Sequence, residues 1–200
     1  MEDMEEMKDY SGPLRPDLHA NVSLGAFSKD AIIRMALETD KLLLCFGGCW
    51  NTFNRRMFDE ETAVKMDREV WLERTEPQLV ARLRRLFNIQ GTDVASFLKF
   101  LQIEPLFATS RVEYTLDTDA QAIVTVHHCR ALEYFERHGE NLLQKNACDI
   151  HATGLAKAAL DFHHDIRVKP LKLPPREITF GKAGRNQPPI ACQWEIKLGA

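Results

Sequence analysis

Several thiol and imidazole side chains that could bind a metal or act as nucleophiles lie in the second half of the 200-residue chain: His127, His128, Cys129, Cys148, His151 and Cys192. Cys148 and His151 are three residues apart, so on a helix both side chains can point towards one ion. Thiolate and imidazole ligands suit Zn²⁺ or a redox-active iron. The residue types predict a metal site of Cys129, Cys148, His151 and Cys192, although their spacing is not that of a zinc finger.

The same residues permit a second chemistry. A cysteine beside a histidine can be activated as a thiolate, which makes Cys129 and Cys148 candidate nucleophiles and His128 the candidate base. Because neighbouring residues of a strand point to opposite faces, only one of His127 and His128 can enter a shared site. No flanking motif identifies a family of catalytic cysteines. A third alternative is a structural or dimerising module in which the thiols only pack, since buried free cysteine behaves as a small hydrophobe.

A further set of side chains could line a pocket for a small amphipathic anion: Trp50, Asp67, Trp71, Tyr114, Trp194 and Arg176. Ligand pockets are mostly apolar with a few polar groups, which this mixture of aromatic and charged residues resembles. Asp67 has no charged neighbour three or four residues away along its helix. It is therefore either a carboxylate paired across the fold or a carboxylate that faces a pocket.

The composition excludes several classes of function. Hydrophobic residues make up 44% of the chain and the net charge is -3, which gives no general reason to expect nucleic-acid binding. The N-terminus is acidic and lacks an apolar signal region, and no apolar run is long enough to cross a membrane. The five cysteines therefore indicate free thiols or metal ligands in a reducing cytoplasm.

The elements that must position these residues fall into two regions. Residues 1–107 are predicted to form an irregular N-terminal arm and then a helical lobe. Ser28 and Asp59 are the predicted N-caps of its first two helices. Pro77 favours a fresh helix start capped by Thr75, and the pair Gly47-Gly48 favours close packing of two helices.

Residues 108–200 are predicted to form an α+β ligand-binding region that shares one compact unit with the lobe. Alternation at 112–116 and 122–128 predicts a hairpin, and helices follow at 130–138 and about 142–162, the first ending at Gly139. Strands are predicted at 165–173, with Pro170 indicating an edge, and at 190–198. The order β-β-α-β-β gives an antiparallel sheet covered by a helical layer.

Several segments together resemble a prokaryotic family known only as a domain of unknown function: 11–18, the helix carrying Asp67, Val70 and Trp71, the strand end 125–129, 168–176, and 192–195. More distantly, the element order is similar to L-2-amino-thiazoline-4-carboxylate hydrolase-like proteins. It is also similar to vinyl-reductase-type small-molecule-binding domains, which share a fold with vesicle-tethering subunits. The resemblance implies a helix-and-sheet domain with an internal pocket and recurring cysteines, and a fold-level likeness assigns no reaction.

These observations predict a cytoplasmic protein that binds a small, anionic molecule between the long helix and the sheet. A hydrolase of a small cyclic or thio-containing acid is one form of this hypothesis. The alternatives are a metal-binding protein that uses zinc or iron, and a module that forms a homodimer without a catalytic role.

Overall fold

The computed structural model describes residues 27–176 and 189–199. The predicted arm at 1–26 and most of the basic loop after Arg176 lie outside the described residues. The first half of the described chain consists of helices: α1 (Lys29–Met57), α2 (Glu60–Arg68), a π-helical segment π1 (Glu69–Thr75), α3 (Glu76–Leu86), α4 (Val94–Ile103) and α5 (Pro105–Ala108). Two predicted caps are confirmed, because the side chain of Ser28 accepts from Ala31 N and that of Asp59 from Thr62 N.

The predicted helix start is right in position, because α3 begins at Glu76 after Thr75 with Pro77 in its first turn, but the predicted cap is wrong. Thr75 has α-helical backbone angles and its side chain caps nothing; its hydroxyl instead donates to the carbonyl of Val70 at 2.8 Å. Helix α2 continues through π1 into α3, so Pro77 lies in the first turn of a continued helix. The wide π turn adds a residue to the helical register, which lets the helix pass the proline without a break.

The second half builds the sheet and two further helices. It contains β1 (Arg111–Thr118), β2 (Gln121–His128), α6 (Arg130–His138), α7 (Asn141–Phe162), β3 (Ile166–Lys172) and β4 (Cys192–Leu198). The strands are all antiparallel in the order β1-β2-β4-β3. Gly139 ends α6 with a positive φ of 67°, and Pro170 lies on an edge strand beside a register shift, as predicted. The fold is therefore α+β.

One hydrophobic core joins the two predicted regions. Phe97 and Phe100 of α4 belong to the same buried cluster as Val124 of β2 and Trp194 of β4. Helix α7 contacts β3 on one side and α3 with π1 on the other. Among the described helices, none combines the length and apolar character needed to cross a membrane.

Candidate functional site

Three thiols approach the same end of the sheet from three different elements. Cys129 follows the last residue of β2 and immediately precedes α6. Cys192 is the first residue of β4 and pairs in register with Val126, so it lies beside the end of β2. Cys148 comes from α7. All three are free and partly buried.

Trp194 joins this group to His151. On β4 its indole N–H donates to the sulfur of Cys192 at 3.3 Å, and its ring meets the His151 ring edge-on with centroids 6.2 Å apart. The ring of Phe107 also packs against the imidazole of His151, with ring centroids 5.6 Å apart. His151 is one helical turn beyond Cys148, so α7 presents a thiol and an aromatic-packed imidazole to the end of β4.

Burial raises the pKa of all three thiols: that of Cys148 to about 12, that of Cys192 to about 11, and that of Cys129 above its usual value. A charge on Cys129 or on Cys192 would raise the pKa of Cys148 further. The three sulfurs are therefore close enough to interact electrostatically, and at neutral pH they are protonated thiols. Burial also lowers the pKa of His151 to about 4, so its imidazole is neutral.

The thiols do not form a closed metal cage. Within the described ranges, the group of Cys, His, Asp and Glu ligand atoms that lie within 4.8 Å of one another is His163, His164 and Asp165 at the end of α7. Of these three residues only His164 is exposed, and the group carries no other feature of a site. The predicted ligands Cys129, Cys148, His151 and Cys192 lie in one region of the fold, but their ligand atoms are not arranged around a common point as in a preformed metal site.

The histidines at the end of β2 face carboxylates. His128 Nε2 lies 3.0 Å from Glu133 Oε2, and His127 Nε2 lies 2.9 Å from Glu113 Oε2. In the part of the chain that the structure describes, no hydrogen bond joins a histidine to Cys129 or Cys148. The catalytic roles of Cys129, Cys148 and His128 stay predictions.

Arg176, a predicted ligand-binding residue, is held by the protein itself. Its Nε and Nη2 donate to the two carboxylate oxygens of Glu136 at 2.8 and 2.7 Å, and Nη1 donates to the carbonyl of Pro189 at 2.9 Å. Its positive charge opposes the rise in the pKa of Cys129. This clamp ties the segment after β3 to α6 beside the thiols.

A second group of buried polar side chains lies where α1 crosses α2. Asp67 is 4% exposed and Asn54 is 1% exposed. Asn51 Nδ2 donates to Asp67 Oδ2, but Asp67 Oδ1, both amide atoms of Asn54 and the indole nitrogen of Trp50 have no partner. Burial raises the pKa of Asp67, which the amide of Asn51, the nearby charge of Arg55 and the indole N–H of Trp50 oppose. Buried polar atoms normally have a hydrogen-bond partner, so this group of unpartnered atoms is unusual.

The other predicted ligand-binding residues are spread over the fold. Trp71 on π1 packs against Gly47, where a Cβ would stand 2.7 Å from its ring. Trp194 is enclosed in the core. Tyr114 on β1 has its pKa raised by burial and by the charge of Glu104. The structure therefore gathers Trp50, Asp67 and Trp71 in the helical lobe and leaves the remaining three elsewhere.

Sequence reasoning missed two partly buried carboxylates. Burial raises the pKa of Glu76 to about 8, with a further contribution from the charges of Glu104 and Asp161. Burial also raises the pKa of Glu104 to about 7, although its carboxylate accepts from Phe107 N at 3.0 Å and caps α5. Glu104 precedes Pro105 at the start of α5, which could have marked it as a cap. Nothing local signalled their burial.

A groove of about 490 Å³ runs along the outside of α3 and is lined by Pro77, Val80, Ala81, Arg84, Arg85, Ile89, Gln90 and Asp161. None of the predicted site residues lines it. The groove is open, and the thiol group and the α1–α2 polar group each lie elsewhere.

Comparison with known proteins adds no family. The chain matches no protein-family model, no curated protein and no solved structure. The resemblances noted in the sequence therefore stay predictions.

Proposed function

We propose that this protein binds a soft or borderline metal ion, Zn²⁺ in the first instance, through Cys129, Cys148 and Cys192, with His151 as the candidate fourth ligand. The observation that carries the proposal is the neighbourhood of three thiols, Cys129 after β2, Cys148 on α7 and Cys192 on β4, whose charges would raise one another's pKa, with the indole of Trp194 linking Cys192 to His151. Thiolate and imidazole are the ligands that Zn²⁺ prefers.

Metal binding would draw the thiols closer together. Zn–S bonds of about 2.3 Å in a tetrahedral site require sulfurs about 3.8 Å apart. Rotation of the three cysteine side chains is the adjustment this proposal requires, because their backbones are already fixed by the sheet and by α7. Binding also requires loss of the thiol protons, and a reducing cytoplasm is the setting in which these cysteines would stay available.

Metal analysis tests the proposal directly. Protein purified without chelator is expected to hold close to one Zn²⁺ or iron per chain. Reduced metal-free protein titrated with Co²⁺ should develop a thiolate-to-cobalt charge-transfer band. Cys148→Ser and Cys192→Ser should each lose most of this signal, whereas Cys45→Ser on the exposed face of α1 is the matched control and should keep it. Circular dichroism verifies that each variant is folded.

Either of two results would reject the metal site. One is a folded protein that takes up neither Co²⁺ nor Zn²⁺ at micromolar concentration. The other is metal uptake that Cys148→Ser and Cys192→Ser leave unchanged.

A second candidate function is the binding of a small polar molecule between α1 and α2. The specific observation is the group of buried polar atoms on Trp50, Asn54 and Asp67 that lack a hydrogen bond of full geometry, among which the indole of Trp50 lies close enough to Asp67 to lower its pKa. An unsatisfied buried polar group costs about 1–3 kcal/mol, so a ligand with matching groups would stabilise the fold. The alternative occupant is ordered water.

A fragment screen separates these occupants. Small amides and carboxylic acids should shift the indole N–H resonance of Trp50 and raise the melting temperature. Asp67→Asn should abolish both effects, and Glu61→Gln, at an exposed position of the same helix, should not. If the screen finds no compound that binds at Trp50, the unpartnered atoms of Trp50, Asn54 and Asp67 would be assigned to ordered water. A hydrolytic step is not included, because no histidine partners a thiol in the described residues.

A further inference from the structure

The outer face of α1 is an apolar surface that the described fold does not cover. Only Asn54 is buried among the 29 residues of this helix. Leu42, Phe46, Phe53 and Met57 are 66%, 65%, 55% and 61% exposed. A contiguous apolar surface of this kind on a folded protein is characteristic of an interaction site.

The spacing of these residues is that of a helix–helix seam. Leu42, Phe46, Cys49, Phe53 and Met57 follow one another at steps of four, three, four and four residues, which keeps them on one face of a helix. We define these five residues as the α1 stripe. The face that carries Trp50 and Asn54 points inwards to α2, so the α1 stripe is a second, separate face.

Charges at the two ends of the α1 stripe indicate what covers it. Glu38 lies before the stripe and Arg56 near its end, and both side chains are on exposed residues. They are 18 residues apart, about five full turns, so they lie on the same side of the helix. Glu38 has an exposed ion pair with Lys41 on its own helix, and such pairs contribute little.

We propose that the α1 stripe packs against the α1 stripe of a second copy in antiparallel orientation, with the two-fold axis between Gly47 and Gly48. This arrangement places Glu38 of one copy beside Arg56 of the other, at both ends of the seam. A parallel arrangement would instead bring like charges together. Phe46 then meets Cys49 across the axis, and Leu42 meets Phe53.

The same register brings two exposed thiols together. With a rise of about 1.5 Å per residue, Cys45 of one copy lies within about 2 Å along the axis of Cys49 of the other. Both residues are free and exposed. Mild oxidation should therefore link the two copies covalently, in a position that the opposite helix orientation does not predict. This interface is independent of the proposed metal site.

Sedimentation and light scattering of the full chain test the interface. Wild-type protein is expected to be a dimer at micromolar concentration, and Phe46→Asp should weaken it at least 100-fold, because a charge would be buried at the seam centre. Phe46 is exposed in the single chain, so this variant should keep its circular dichroism spectrum. Leu86→Asp replaces an apolar residue of α3 that is equally exposed and should leave the dimer intact.

A charge exchange tests the orientation. Glu38→Arg and Arg56→Glu should each weaken the dimer by about tenfold, because each creates two like-charge contacts. The double variant should recover most of the affinity. Oxidation should yield a covalent dimer that Cys45→Ser alone and Cys49→Ser alone each abolish, because each bond joins Cys45 of one copy to Cys49 of the other; a parallel seam would keep one bond in each single variant.

Three outcomes would overturn the proposal. The first is a wild-type chain that stays monomeric at 100 times the micromolar concentration, which would leave residues 1–26 or another protein as the occupant of the α1 stripe. The others are a dimer whose affinity Phe46→Asp leaves unchanged, and a double charge variant that dimerises no more tightly than the single variants.

Discussion

The two long helices of this protein, α1 and α7, use their apolar residues in opposite ways. Helix α7 buries Gln144, Ile150, Gly154, Leu155, Ala158, Ala159 and Phe162, because it lies between β3 on one side and α3 with π1 on the other. Helix α1 buries Asn54 alone, although it is seven residues longer. The position of a helix in the fold, rather than its apolar content, decides which of its side chains leave water.

The two candidate sites repeat this contrast. Beside α7 the polar atoms are partnered, since Cys192 accepts from the indole of Trp194 and Arg176 is paired with Glu136. Beside α1 they are not, because Asn54, Trp50 and Asp67 each retain an orphaned atom. The α7 side is therefore a packed region with partnered polar atoms, whereas the α1 side retains buried polar atoms without a hydrogen-bond partner.

The largest expected effect separates the two helices by stability. Phe162→Ala on α7 should cost about 3–5 kcal/mol, because this ring is 3% exposed and packs on Phe97 at 5.3 Å and under the guanidinium of Arg84 at 4.1 Å. Phe46→Ala on α1 should change the stability of the dilute, monomeric chain by less than about 0.5 kcal/mol. Urea unfolding at low protein concentration measures both, and equal losses would contradict the contrast.

A smaller effect should appear in the pH dependence of the unfolding free energy. Its source lies where α7 faces Glu76 at Gly154. Glu104 and Glu76 have folded pKa values of about 7 and 8, above the usual 4.5. Groups with a raised folded pKa favour the folded state most below the unfolded value, so this contribution declines as the pH rises from about 4.5 to 8. Glu104→Gln removes the charge but keeps an acceptor for Phe107 N.

The Gln variant should therefore be more stable than wild type at pH 8 by about 1–3 kcal/mol, with a difference that shrinks towards pH 5. Urea titrations at several pH values measure this difference. Taking the difference in unfolding free energy between variant and wild type also cancels the pH-dependent contribution of His151. The lowered pKa of His151, about 4, favours the folded state at higher pH in both proteins. A pH-independent difference would contradict the assignment.

The smallest effect distinguishes the two glycines in α1. Gly48→Ala should stabilise the chain by about 0.5–1 kcal/mol, because the added Cβ meets open space and alanine favours a helix. Gly47→Ala should destabilise it by about 1–3 kcal/mol, because its Cβ would stand 2.7 Å from the Trp71 ring. Thermal unfolding of both variants measures the sign. Equal shifts would mean that α1 does not pack closely on π1.

Local signals in the sequence predicted much of the fold. The caps at Ser28 and Asp59, the hairpin, the Gly139 helix end and the edge position of Pro170 each depend on a few neighbouring residues. The prediction placed the start of α3 correctly after Thr75, but it wrongly took Thr75 to cap a separate helix. There the π1 turn keeps the helix continuous, and it does so with Trp71 packed against α1, which is a contact between elements distant in sequence.

The sequence by itself determined which residues could do chemistry and on which elements they lie, because side-chain type and helix or strand periodicity are local properties. It also determined that Cys192 and Trp194 share a face of their strand. Only the tertiary structure decided which groups come near one another: Asn51 bonds to Asp67, Cys129 and Cys192 lie close enough to Cys148 to influence its pKa, and Glu104 influences that of Glu76. These contacts depend on how α7 and α1 pack against the rest of the fold. The same packing determines how far each group is buried, and burial shifts its pKa in a way that the local sequence does not reveal.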